Sequence, residues 1–313
     1  MNLAAAIQEF VTHKRALGLV YWRTEYHLRS LLGQVGDVEL RGISVQQVEQ
    51  FLKGRQETVT RFWLSKYRAA GVFFRYAISR GYMESAPLPK SVPKMPAQFV
   101  PYLYSIDEMR RLLAIPDSCY PPRSILSPLT MRTLLLLLYG TGLRLGEGAS
   151  LKWADVDLEE GLLTVRETKF FKSRLLPVSS DIVRVLRAYR DQQWPTSPAP
   201  DTRVFCTRRR AAMTKDHAFR MFQWLRREAG VLRFDGGRFQ PRLHDLRHTF
   251  AVTRLVTWYR EGKDVQRLLP HLSVYLGHVN IESTAYYLTM TKELLQEANR
   301  CFERYALAEV EHD

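Results

Sequence analysis

His244-Asp-Leu-Arg247-His-Thr-Phe250, then Leu269-Pro-His-Leu-Ser-Val-Tyr-Leu-Gly-His278, then Val279-Asn-Ile-Glu-Ser-Thr-Ala-Tyr286-Tyr287-Leu-Thr289: the reading of this 313-residue chain turns on these three runs. His244 and Arg247 are three apart in what reads as the first turn of a helix, so they share a face. That face pairs a proton-transferring imidazole with a guanidinium, whose forked donors match two phosphate oxygens at once. His278 follows Arg247 by thirty-one residues, and Tyr287 follows His278 by nine. Together these side chains could hold an anion and move a proton beside a nucleophilic hydroxyl.

The composition points to a polyanionic partner. Lys and Arg number 46 against 32 Asp and Glu, a formal charge of +14, which favours nucleic acid. A membrane surface is the competing polyanion, but the richest apolar run, Leu134 to Gly140, is only a buried-helix length, far from the roughly 18 residues a span requires. The N-terminus lacks the basic and apolar regions of a signal peptide, so the expected location is cytoplasmic. Cys119, Cys206 and Cys301 are scattered, odd in number and without metal-ligand spacing, and are read as reduced and structural.

At 313 residues, two domains are expected. Leu3 to Leu17, about Thr24 to Leu32, a segment from Ser44, and about Val59 to Ser79 read as four helices, the third opened by a Ser44/Gln47 capping box with an Ile43/Val48 staple. The fourth carries Arg61, Lys66, Arg68, Arg75 and Arg80 among aromatic residues. Its charged side is open to two readings, a face for DNA backbone or an ordinary solvated face. Residues 1–94 hold fourteen Lys and Arg against seven Asp and Glu, +7 of the total, so both halves are basic.

Pro87, Pro89, Pro93, Pro96 and Pro101 mark an extended connector. Past it, Ser105 and Glu108 form a second capping box, with Tyr104 and Met109 as staple. Ser127 to Leu138 reads as a buried helix leading through Gly140-Thr-Gly142 to Arg144. Residues 151–179 alternate between turn signals and read as a three-stranded antiparallel sheet, with turns near Glu159 to Gly161 and Lys169 to Ser173. Helices are expected at about Asp181 to Gln192, Thr214 to Ala229 and Thr291 to Tyr305. Arg208, Arg209 and Arg210 could meet phosphate or only solvent. His217, His248 and His271 have no motif support and are read as structural or surface.

His-x-x-Arg, then Leu-Gly-His, then Tyr nine residues on resembles the catalytic end of the tyrosine recombinase (phage-integrase type site-specific recombinase) family. The resemblance implies a mainly α fold with a small antiparallel sheet: an N-terminal helical DNA-binding (core-binding) domain over 1–86, a Pro-rich linker over 87–103, and a catalytic domain over 104–313 ending in a helix that docks on a neighbouring subunit. It predicts an arginine after a glycine turn with an acidic residue three later, and Arg144 with Glu147 match. It also predicts a hairpin lysine in a Lys-x-x-Lys-x-Arg-x-x-Pro register. Lys169, Lys172, Arg174 and Pro177 stand there, with Lys169 the expected catalytic lysine and Lys172 the reserve.

The implied chemistry is attack by Tyr287 on DNA to give a 3′-phosphotyrosyl link and a free 5′-hydroxyl, with no metal and no cofactor. Arg144 and Arg247 would stabilise phosphate charge, with Glu147 orienting Arg144. Lys169 would protonate the leaving oxygen, His244 would assist proton transfer at the tyrosine, and His278 would hydrogen-bond the phosphate. The implied partners are double-stranded DNA and further copies of the chain, as a tetrameric synapse in the nucleoid. The long approach to Leu-Gly-His, Gly262 to Ser273, resembles recombinases of transposons and other mobile elements, implying integration, excision or transposition. A type IB topoisomerase, or a recombinase resolving chromosome or plasmid dimers, is the alternative.

Overall fold

The computed structural model describes residues 1–54, 60–94, 100–166, 173–194, 196–237, 239–289 and 294–300. The chain divides into two compact units, Met1–Gln98 and Phe99–Asp313.

The first unit is a helical bundle of α1 (Leu3–Ala16), α2 (Trp22–Val35), α3 (Val45–Lys53) and α4 (Arg61–Ser79). Ser44 and Gln47 form the expected capping box at α3, and Ile43 and Val48 are both buried. Leu3, Phe10, Leu28, Leu31, Phe51, Phe73 and Phe74 make the core. On α4, Arg61, Arg68 and Arg75 recur every seven residues and are exposed, so they form one basic stripe. Lys66 leaves the expected charged side: it is buried, with its Nζ donating to the Phe51 carbonyl at 2.5 Å and lying over the Phe51 and Phe62 rings. Burial lowers its pKa, and the carbonyl and the aromatic faces replace water around the ammonium.

The second unit is built around α6 (Pro128–Thr141), after α5 (Ile106–Ala114), whose Ser105/Glu108 capping box is also formed. Ser127 caps α6, and Pro128 occupies its first turn, where a missing N–H costs nothing. Leu134, Leu135, Leu137 and Leu138 are fully buried or nearly so. The helix outruns its expected end at Leu138, absorbing Gly140 and closing on Gly142 in the left-handed region at φ +64°. A Cβ on Gly142 would meet Phe250 Cδ1 at 2.6 Å, so both the backbone and the packing there require glycine.

Next come α7 (Leu145–Ser150), then β1 (Val156–Asp157), β2 (Leu162–Val165) and β3 (Arg174–Pro177), an antiparallel sheet in that order with Val165 opposite Arg174. Residues 167–172, holding Lys169 and Lys172, lie outside the described residues. α8 (Ser180–Gln193), α9 (Lys215–Glu228), α10 (Leu243–Arg260), α11 (Val265–Leu276) and α12 (Glu282–Ala285) complete the unit. α10 and α8 both pack on α6. Within the cluster of Arg208, Arg209 and Arg210, all exposed, the Arg210 guanidinium lies 4.1 Å from the centre of the Trp194 ring. Residues 294–300 are helical, with Leu294 buried beside Leu272 and Tyr287. The rest of the expected terminal helix lies outside the described residues.

Candidate active site

Where α11 ends, three arginines converge. Gly277 takes φ +67° in the left-handed region and ends α11, leaving its last carbonyls free of helical partners. These carbonyls carry the negative end of the helix dipole. Arg174 Nε donates to the Tyr275 carbonyl at 2.9 Å, Arg247 Nη2 to Leu276 at 2.7 Å, and Arg144 Nη2 to Gly277 at 2.8 Å. Arg247 Nη1 also donates to the Gly142 carbonyl at 2.9 Å, tying the end of α6 to the end of α11.

Glu147 fixes two of these arginines. From the first turn of α7 it accepts from Arg144 Nη1 at 2.8 Å and from the Arg144 backbone N–H at 3.0 Å. Arg174 Nη1 and Nη2 reach the same carboxylate at 3.2 and 2.9 Å. Burial opposes ionisation of Glu147, but the Arg174 hydrogen bonds and charge, helped by Arg144, outweigh it and hold the carboxyl at about 2. Two guanidinium groups thus share one carboxylate, and the third, that of Arg247, is held by backbone carbonyls. The nearby Asp245 is engaged with Arg242. The excess positive charge fits an anion, and Arg144, about one third exposed, has donors left to meet it. Arg247 is buried, which lowers its pKa to about 10, with the charge of Arg144 pushing the same way; at neutral pH it remains a cation.

Tyr287 lies just past α12, in a 3-10 turn over Tyr286–Thr289, and is 2% exposed. Burial raises its pKa, against the charge of Arg247 and a hydrogen bond from that side chain. Tyr286 is half-buried with its ring 6.5 Å away. His278 follows Gly277 directly; its Nδ1 meets the buried Thr284 hydroxyl at 2.6 Å, and its ring lies 6.2 Å from that of Tyr287 at 25°. Burial and the arginine charges push His278 down to about 3, so it is neutral at neutral pH.

Arg144, Glu147, Arg247, His278 and Tyr287 therefore come together. His244 is beside them on α10, its pKa lowered by loss of hydration among its neighbours and then by the charge of Arg247. The imidazole that reaches the Tyr287 hydroxyl is His248, with Nδ1 at 3.1 Å, while His244 stands edge-on to His248 at 4.9 Å. His248, read from the sequence as structural or surface, thus stands at the Tyr287 hydroxyl. The available signal was its place one turn beyond His244 on the same helix face. Arg174 was quoted only as part of a register, and the pattern itself gave no hint that it shares Glu147 with Arg144.

The family model described as the phage integrase family matches residues 104–293. A putative integrase/recombinase, y4rB, of Sinorhizobium fredii is 36% identical over 303 residues, covering 96% of each chain. Tyrosine recombinase XerA of Thermococcus kodakarensis is 31% identical over 209 residues, 66% of this chain and 64% of that one. Among solved structures, the Tn1549 transposon integrase in complex with transposon right end DNA aligns at TM-score 0.74 with 15% identity, covering 98% and 100% of the two chains. A lambda integrase dimer bound to a core site aligns at 0.70 with 17% identity, covering 93% and 97%; at such identities the likeness is one of fold.

Proposed function

The chain belongs to the phage integrase family, the tyrosine recombinases, and on that premise we propose that it cuts and rejoins double-stranded DNA through Tyr287. The observation that carries the reading is the buried Tyr287 side chain under the charge of Arg247 and Arg144, two of the three guanidinium groups that converge at the end of α11. A phosphodiester entering there meets donors fixed before it arrives, so charge building on its non-bridging oxygens is stabilised without reorganisation. Arg144 and Arg247 act on those oxygens, His278 hydrogen-bonds the phosphate and His244 assists proton transfer at the tyrosine, as the family pattern implies. Lys169, as the family register implies, protonates the departing 5′-oxygen.

The Tyr287 oxygen bonds to phosphorus, the bond to the 5′-oxygen breaks, and the 3′-phosphotyrosyl ester keeps the bond energy for rejoining to a second strand. A topoisomerase using the same chemistry is disfavoured by the kinship with integrase/recombinase proteins along 96% of the chain. The formal charge of +14 and the exposed Arg61, Arg68 and Arg75 stripe support DNA binding. The likeness to integrases solved as a DNA-bound dimer and as a tetramer supports assembly as an oligomer. We extend this to a tetrameric synapse bridged by the C-terminal helix, formed in the cytoplasm on the chromosome. The likeness to a transposon integrase favours movement of a mobile element over dimer resolution.

The test is covalent trapping on a nicked DNA duplex carrying the target site. Wild-type protein and Tyr286→Phe should form a denaturant-stable protein–DNA adduct, and Tyr287→Phe should bind the same DNA without forming one. An adduct mapped to Tyr286 would shift the nucleophile by one position. No adduct from the wild type would remove the recombinase reading.

A further inference from the structure

We propose that His248 is the group that takes the phenolic proton of Tyr287 as the tyrosine oxygen attacks the DNA phosphate; this rests on the recombinase reading above. His248 Nδ1 is 3.1 Å from the Tyr287 hydroxyl, with the two rings 5.6 Å apart. That contact is direct, and it is made by a residue on α10 next to Arg247, so base and phosphate-binding guanidinium are carried by one rigid element. Nδ1 accepts the phenol O–H when the ring proton is on Nε2. The balance is simple: the Tyr287 oxygen–phosphorus bond forms, the phosphorus–5′-oxygen bond breaks, the phenol proton goes to His248, and the 5′-oxygen takes a proton from Lys169. Rejoining reverses each transfer.

The surroundings explain why the base acts only with DNA in place. Burial, then the neighbouring His244, Arg242, Arg247 and His278, pushes His248 down to about 3. Without DNA the ring is therefore neutral, able to accept a hydrogen bond but too weak to deprotonate a phenol whose own pKa is raised. A bound phosphate brings negative charge into the same cluster and offsets those arginines, which raises the affinity of the imidazole for a proton. Activation of the nucleophile is thus coupled to occupancy of the arginine site.

The experiment follows single-turnover adduct formation by the full-length protein on nicked duplexes with an ordinary scissile phosphodiester or a 5′-bridging phosphorothiolate, whose sulfur leaves without being protonated. His248→Ala should slow adduct formation about a hundredfold or more on both substrates, whereas Lys169→Ala should recover on the sulfur substrate. Between pH 6 and 8.5, the wild-type advantage over His248→Ala should shrink about tenfold per pH unit, because the variant must lose its phenolic proton to solvent. His248→Asn places an amide oxygen near the Nδ1 position, keeping a hydrogen-bond acceptor without a base; it should bind DNA normally and stay slow. Full recovery in His248→Asn, a pH-independent ratio, or rescue of His248→Ala by the sulfur substrate would each overturn the assignment. Wild-type protein forming no adduct would instead defeat the underlying reading.

Discussion

Replacing Glu147 by Gln keeps the size of the side chain and removes the one carboxylate that Arg144 and Arg174 share. Glu147 and Arg174 are 9% and 11% exposed, so solvent screening is weak. The fall of the Glu147 pKa from its ordinary 4.5 to about 2 corresponds to roughly 3 kcal/mol of favourable interaction with the ionised form. Because the folded value is depressed, that stability is fully present above about pH 4.5 and is lost as the pH falls toward 2. About 1.4 kcal/mol of it should be gone by pH 3.5. Urea denaturation of both proteins from pH 7 to 3.5 should therefore show wild type more stable at neutral pH by an amount near 3 kcal/mol, with the gap narrowing as acid is added. Other titrating groups are common to the two proteins and cancel. In the trapping assay the variant should cut up to about a hundredfold more slowly, since Arg144 loses the partner that aims it. A gap independent of pH, or no gap at pH 7, would refute the claim that an ionised Glu147 holds the two arginines.

Arg144→Ala and Arg247→Ala should both lose several orders of magnitude in cleavage, yet differ in stability. Only Arg247→Ala strands the buried links to the Gly142 and Leu276 carbonyls, so its urea midpoint should fall by an amount worth about 3 kcal/mol, and equal midpoints would argue against that structural role. Gly142→Ala, with φ +64° and a Cβ 2.6 Å from Phe250, should cost about 2–4 kcal/mol; an unchanged midpoint would show that the α6 terminus relaxes freely. Adduct formation should persist in excess EDTA, since guanidinium groups supply the positive charge at the site. Activity lost in chelator and restored by magnesium would contradict this.

What the sequence revealed follows from which features are local. Capping boxes at Ser44 and Ser105 are set within four residues and were readable outright, as was the face shared by His244 and Arg247. Arg144 and Tyr287 became readable only through a family pattern, because nothing near Arg144 in sequence announces a partner at Gly277. Two features escaped for a related reason. Arg174 meets a carboxylate 27 residues away, and His248 a hydroxyl 39 residues away, neither of which leaves a trace in local periodicity. Lys66 was misplaced because charge alone suggests exposure, while a carbonyl and two aromatic faces can hold an ammonium inside.

The gathering of Arg174, Arg247 and Arg144 on successive carbonyls of α11 spans separations of 101, 29 and 133 residues. Closing contacts between such distant positions costs chain entropy that is repaid only late in folding. A chain emerging from synthesis, or one locally unfolded, therefore still carries its basic charge and can adhere to DNA through it, but its arginines are scattered and its tyrosine has no phosphate site to face. The capacity to break a strand belongs to the completed fold alone, so an immature or locally unfolded molecule can hold DNA without cutting it.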